Sequence, residues 1–261
     1  MEHSATARII TLLTDFGLKD PYVGVMKGVI LTVNPGVTIV DITHDVSPQN
    51  IEDAAFLIEE YCRFFPAGTI HLAVVDPTVG SSRRPIIVYK ENSVFVGPDN
   101  GLFTLILDNA ETRVIENPAF MLGAISSTFH GRDIFAPAAG HLSTGIHPSA
   151  FGKPLSDPVR LDTMFPDRED NSLKGKIIRF DRFGNAITNI KINVLKDIFG
   201  NGPFEVHVAG MTFKALDKSY YENEFTCLAG SSGYLEFGYF KGNFREKTKI
   251  ARGDPVQITA S

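Results

Sequence analysis

From Ile9 to Gly145 the chain alternates short β-branched runs with stretches whose apolar positions recur at helical spacing. Strands covered on both faces read as nearly continuous apolar runs, so the pattern predicts an α/β domain, a mostly parallel sheet with flanking helices. Ile9 to Leu13 is the first run and leads into Thr14-Asp15-Phe16-Gly17. Asp20-Pro21 then offers a capping carboxylate and a first-turn proline for a helix that Asn34-Pro35-Gly36 stops. Val37 to Ile42 predicts the second strand. Ile51, Ala54, Ala55, Ile58, Tyr61, Cys62 and Phe65 then mark one face of a helix, with Cys62 in the core. Thr69 to Val75 is the third strand, and Asp76 follows at its end.

Between Ala150 and Ser172 the periodicity fails, and Pro154, Pro158, Pro166, Asp167, Arg168, Glu169 and Asp170 gather as in a linker. Beyond it, Lys174 to Asp181, Ala186 to Ile192, Phe204 to Val208, Phe225 to Leu228, Tyr234 to Tyr239 and Val256 to Thr259 are short strand-like runs punctuated by glycine. The organisation expected is an N-terminal α/β domain over residues 1–155, a linker over 156–172, and a smaller all-β, barrel-like domain over 173–261.

Composition narrows the class. Hydrophobic residues make up 43% of the 261 and charged ones 21%, which is globular and not disordered. A net charge of −5 with scattered basic residues gives no reason to expect nucleic acid as a partner. Met1 to Arg8 lacks the apolar core of a signal peptide, and no apolar run approaches the roughly 18 residues of a spanning helix, so no membrane partner is expected. Cys62 and Cys227 stand far apart without metal-ligand spacing, which suggests neither disulfide nor zinc and makes the cytoplasm the expected location. The glycine-rich phosphate and dinucleotide fingerprints and the H-E-x-x-H motif are absent.

Asp15 and Asp76 both end strands of one predicted sheet, where open α/β folds bind ligands. A strand-end aspartate also caps turns through backbone N–H groups, and Asp20 is assigned to that role. Asp76 to Arg84 sets two arginines across a Pro/Gly loop from an aspartate, close enough for a local ion pair, with one arginine left as a solvated surface group. An aspartate paired in this way stays ionised and orients a water better than it removes a proton. His130, in a polar turn before a helix running from near Asp133 to Gly145, is the best placed of seven histidines. His44, His71, His141, His147 and His207 carry no such signal. Asp181-Arg182-Phe183-Gly184-Asn185 reads as a hairpin turn.

Together, Thr14-Asp15-Phe16-Gly17, the run Tyr22 to Gly28, Val75-Asp76-Pro77, Gly97-Pro98-Asp99-Asn100-Gly101, Thr128 to Asp133, and Phe183-Gly184-Asn185 with Thr188-Asn189 resemble the S-adenosylmethionine hydroxide adenosyltransferases, relatives of fluorinating and chlorinating enzymes. The resemblance spans nearly the whole chain and implies hydrolysis of S-adenosylmethionine to adenosine and methionine. It implies that Asp76, Arg83 and His130 position the water, Arg83 being preferred over Arg84 by loop spacing. Asp15 would hold the ribose hydroxyls, Tyr22 would line the substrate site, and Asp181 would take the methionine amino group. Asn185 would meet the adenine edge and Ser231 the methionine carboxylate. It implies no metal or redox cofactor, and a homotrimer with sites between the N-domain of one subunit and the C-domain of the next. Thr78 stands where the family's usual Asp-Pro-Gly has glycine, and Phe244-Arg245 where it commonly has small residues near the adenine. Two rivals stay open, a halogenase and a non-catalytic S-adenosylmethionine or adenosine sensor. Against the first, the aromatic Tyr and Trp of the fluorinating relatives match Asp76 and Ile187 here, and the chain has no tryptophan.

Overall fold

The computed structural model describes residues 9–169, 171–200 and 202–260; Met1 to Arg8, Asp170, Asn201 and Ser261 lie outside them. The chain forms two compact units, the first ending at Leu161 and the second beginning at Asp162. The first contains β1 (Ile9–Thr14), α1 (Tyr22–Val33), β2 (Thr38–Thr43), α2 (Ile51–Cys62), β3 (Ile70–Val74), β4 (Pro85–Lys90), β5 (Ser93–Pro98), β6 (Glu111–Val114) and α3 (Ala136–Ser143). Its strands lie in the order β2-β1-β3-β5-β4-β6. The pairs among β2, β1, β3 and β5 are parallel, whereas β4 runs antiparallel to both β5 and β6.

The period of two along each strand distributes the core between two faces. Ile10 and Leu12 of β1 pack with Val23, Met26 and Ile30 of α1 and Leu142 of α3. Leu13, one residue out of phase, packs with Ala54 and Ile58 of α2 on the opposite face. Asn50 caps α2 by accepting from Asp53 N at 3.1 Å. At α1 the expectation fails: Pro21 itself holds the cap position with φ −75°, and no side chain caps the helix. The cap position falls one residue later than Asp20, on a proline whose side chain has no acceptor to offer the first-turn N–H groups. Cys62 is only half-buried, at the rim of the core rather than within it.

The second unit contains β7 (Asp167–Glu169), β8 (Ser172–Phe180), β9 (Ala186–Lys191), α4 (Ile192–Phe199), β10 (Phe204–Val208), β11 (Met211–Phe213), β12 (Phe225–Ala229), β13 (Tyr234–Tyr239), α5 (Phe244–Thr248) and β14 (Pro255–Ala260). Its sheet runs β11-β10-β14-β8-β9-β13-β12, antiparallel throughout and barrel-like, with β7 beside β8. Two short helices interrupt it that strand-length periodicity does not reveal. Phe244, which opens the second of them, is fully buried and stacks on Phe237 at 5.8 Å, so it belongs to the core of this unit. Among the described residues no helix is long and apolar enough to cross a membrane.

Candidate active site

Parallel strands present their carboxyl ends at one edge of the sheet, so β1, β3 and β5 deliver Asp15, Asp76 and Asp99 to that edge, each within two residues of its strand. Strand β1 has β2 on one side and β3 on the other, and the chain reverses its direction of sheet growth there. The gap between the loops after β1 and β3 is therefore the topological switch point, where such sheets bind ligands. A separate cavity of about 570 Å³ at the opposite edge, lined by Ile9, Ile70 and Val94, lies away from these carboxylates.

The loop after β3 folds back so that Arg83 reaches Asp76. Arg83 Nε and Nη2 both donate to Asp76 Oδ2, at 2.8 and 2.6 Å. Nη2 also lies 2.6 Å from His130 Nδ1. Gly80 permits this arrangement: its φ is +81°, and a Cβ there would stand 2.2 Å from the carbonyl oxygen of Ser127. The loop bearing Arg83 thus lies backbone to backbone against the loop bearing His130. The latter is shaped by a π turn over Gly131–Phe135, where Ala136 N–H reaches Gly131 O, and it ends in α3, whose Pro137 has no N–H to give. The helical turn begins directly after His130, a little earlier than expected. Asp133, fully buried, accepts from Ser126 N at 2.7 Å and from Arg132 Nε at 2.6 Å. Burial pushes its carboxyl up, but these donors outweigh it and hold it below the ordinary range.

The side chains of Asp76 and Arg83 are 4% and 6% exposed, so their pairing acts in a poorly solvated setting. Burial, reinforced by the Arg83 charge, holds His130 below the ordinary imidazole value against the opposing pull of Asp76 and Asp133. Arginine has only donors, so Nδ1 of His130 accepts and Nε2 carries the proton of the neutral ring. Arg83 Nη1 is buried with no hydrogen-bond partner among the described residues. A carboxylate and an imidazole N–H are thus joined through one guanidinium, a set of groups able to bind a small polar molecule.

Asp15, half-buried at the end of β1, accepts from Gln49 N at 2.8 Å. Its neighbour Phe16 meets Tyr22 at 5.9 Å and Phe129 at 6.0 Å, and Tyr22 meets Phe129 at 5.2 Å, all edge to face. These three rings join the Asp15 loop to the His130 loop, and Tyr22 remains 47% exposed there. In the second unit Asp181 and Asn185 bond each other: Asp181 Oδ1 accepts from Phe183 N and Asn185 N, and Oδ2 from Asn185 Nδ2. Ser231 lies exposed in the turn between β12 and β13. Among the described residues no group of three or more His, Cys, Asp or Glu side chains is arranged to hold a metal.

Two polar residues gain roles that the sequence reading missed. His44 is buried and shares a 2.9 Å hydrogen bond with Oγ1 of Thr14, the residue before Asp15. Arg84 is not a solvated bystander, as the loop spacing suggested. It donates to Asp99 Oδ2 at 2.7 Å, to Asp157 Oδ1 at 2.9 Å and to the Asp157 carbonyl at 2.8 Å. Its partners lie 15 and 73 residues away along the chain, beyond any local spacing rule.

The model of the SAM hydroxide adenosyltransferase N-terminal domain matches residues 10–152, and that of the C-terminal domain matches 175–257. The chain belongs to the SAM hydroxide adenosyltransferase family. This adenosyltransferase-family chain is 37% identical to the (R)-S-adenosyl-L-methionine hydrolase of Thermus thermophilus, across 96% of its own length and 99% of the relative's. A fluorinase from an Actinoplanes species is 29% identical over 70% of this chain and 71% of its own. A crystal structure of an uncharacterized conserved protein from Thermotoga maritima shares 36% identity with a TM-score of 0.87, covering 96% of this chain and 99% of that one.

Proposed function

We propose that this chain hydrolyses S-adenosyl-L-methionine at the ribose 5′ carbon, giving adenosine and L-methionine. The observation that carries the reading is the Asp76–Arg83–His130 chain at the switch-point crevice. Water attacks C5′ as the C5′–S bond breaks, the bonding pair leaves with sulfur as a neutral thioether, and the surplus proton on the new oxygen passes to solvent. The leaving group needs no acid, so the protein's task is to hold the water in line. Asp76 accepts from that water and His130 Nε2–H donates to it, while Arg83 holds the two groups in place. As water attacks, positive charge passes from sulfur to the new oxygen, where the Asp76 carboxylate stabilises it. Asp15 takes the two ribose hydroxyls, a pairing suited to a carboxylate, with Tyr22 beside it. Asp181, Asn185 and Ser231 bind the methionine amino group, adenine edge and methionine carboxylate from a neighbouring subunit of a homotrimer, an assignment supported by family membership. The two free thiols, Cys62 and Cys227, support a cytoplasmic location.

A halide-using reaction is disfavoured by the Asp76 carboxylate, which repels an anion and retains water. The deciding experiment is incubation with S-adenosylmethionine in oxygen-18 water. Adenosine and methionine appear in equal amounts with the label on the 5′ oxygen. Unlabelled adenosine excludes displacement by water at C5′, and absence of both products leaves a sensor.

A further inference from the structure

The segment Gly97-Pro98-Asp99-Asn100-Gly101 stands out in the sequence, yet the hydrolytic reading gives it no task. Its side chains reach to either side of the pair that holds the water. Asn100 Nδ2 donates to the carbonyl of Val75, the residue before Asp76, at 2.9 Å. Asp99 Oδ2 takes both Arg84 Nε at 2.7 Å and Arg84 Nη2 at 2.6 Å, and Asp99 N–H donates to the Arg84 carbonyl at 2.9 Å, so Asp99 grips the residue after Arg83 by side chain and backbone. We propose that Asp99, Asn100 and Arg84 are positioning residues that clamp the backbone on both sides of the Asp76–Arg83 pair and so set Arg83 against His130.

Three features make this a brace and not a generic loop contact. The Asp99 side chain is 2% exposed, and a carboxylate buried to that degree keeps its place only while its partners hold it. Its second oxygen, Oδ1, is spent on Val159 N at 2.8 Å, and Arg84 is tied beyond Asp99 to Asp157, so the clamp is anchored at a third point. Gly97 lets the segment lie close: a Cβ there would stand 2.4 Å from the Ala73 carbonyl oxygen. Because the Arg83 fork spends Nε and Nη2 on one carboxylate oxygen, a small rotation of its backbone carries Nη2 away from His130.

The inference rests on the hydrolase reading for its kinetic readout but not for its spectroscopic one. The test uses the full chain and the variants Asp99→Asn, Arg84→Lys and Asn100→Asp, each folded by circular dichroism. Asp99→Asn keeps an acceptor for Val159 N, Arg84→Lys keeps the charge but loses the fork, and Asn100→Asp loses the donor to Val75. Turnover of S-adenosylmethionine falls about tenfold or more while KM stays within about threefold, as loss of alignment without loss of ligand contacts predicts. The NMR titration of His130 moves up as Arg83 withdraws, Asp76 and Asp133 remaining beside the ring. Folded variants whose His130 titration matches wild type overturn the brace, whatever their activity. If Asp99→Asn does not fold, Arg84→Lys and Asn100→Asp carry the same decision. Wild-type protein that leaves S-adenosylmethionine intact sinks the hydrolase reading, and the titration still decides the brace.

Discussion

Arg83 Nη2 donates to His130 Nδ1 at 2.6 Å, which leaves the proton of the neutral imidazole on Nε2. Protonating Nδ1 would set two donors against each other, so the contact survives only while the ring is neutral. Burial and the Arg83 charge lower the His130 value, so the neutral form persists below the ordinary imidazole range. Turnover is therefore flat through neutral pH and lost on the acid side, with a midpoint below that of a free imidazole. A pH–rate profile of kcat beside the NMR titration of His130 checks this, and an acid limb at or above the ordinary value contradicts it.

On the proposed water site, in which both groups act on the water and not on the nucleoside, Asp76→Ala and His130→Ala each lower kcat by about a hundredfold or more with little change in substrate affinity. The double variant is far less than additive, since one water is shared. Single-turnover rates with calorimetric affinities measure both parts. Additive losses would falsify a common water site.

With Asp15 in the proposed ribose-binding role, Asp15→Ala weakens adenosine binding because the diol loses its carboxylate acceptor. The variant also discriminates less than wild type between adenosine and 2′-deoxyadenosine. Calorimetry with the two nucleosides reads it, and unchanged adenosine affinity places the ribose elsewhere.

Gly80→Ala strains a backbone at φ +81° and drives a Cβ into the Ser127 carbonyl oxygen. The expected cost is about 1–3 kcal/mol of stability, with turnover reduced as the Arg83 and His130 loops separate. Denaturant unfolding and kcat measured together test this. Unchanged turnover shows that the contact between the loops does not set the site.

His71 is buried between Thr11, at 2.9 Å, and the stacked ring of Phe95, at 4.8 Å, and burial lowers its value from 6.5 to about 4. The unfolded chain thus binds this proton first. The stability His71 contributes is complete above its unfolded value and is lost as pH falls from there toward 4, by about 3 kcal/mol in all. His71→Phe keeps the stack and removes the proton, so its stability declines less between about pH 7 and pH 4.5 than that of wild type. Urea midpoints at the two pH values decide it, and equal declines exclude His71 as the source.

What the sequence determined by itself was the set of elements and the ends of some of them. Continuous apolar runs such as Thr69 to Val75 signal strands buried on both faces, and this places Asp15 and Asp76 at carboxyl ends of one sheet. The motifs through Asn189 carry the family. Periodicity reports which face of an element is buried but never which distant residue it meets. Local spacing therefore could not show that Arg84 bonds Asp157, that His44 backs Thr14, or that Gly80 presses one loop onto Ser127. Those relationships exist only once strand order brings the loops after β1, β3 and β5 to one edge. There, burial makes each unsatisfied polar group costly enough that its partner is specified. Asp76 and His130, the ends of the Asp76–Arg83–His130 chain, stand 54 positions apart in sequence, and only the tertiary structure closes it, through a backbone contact that a glycine permits.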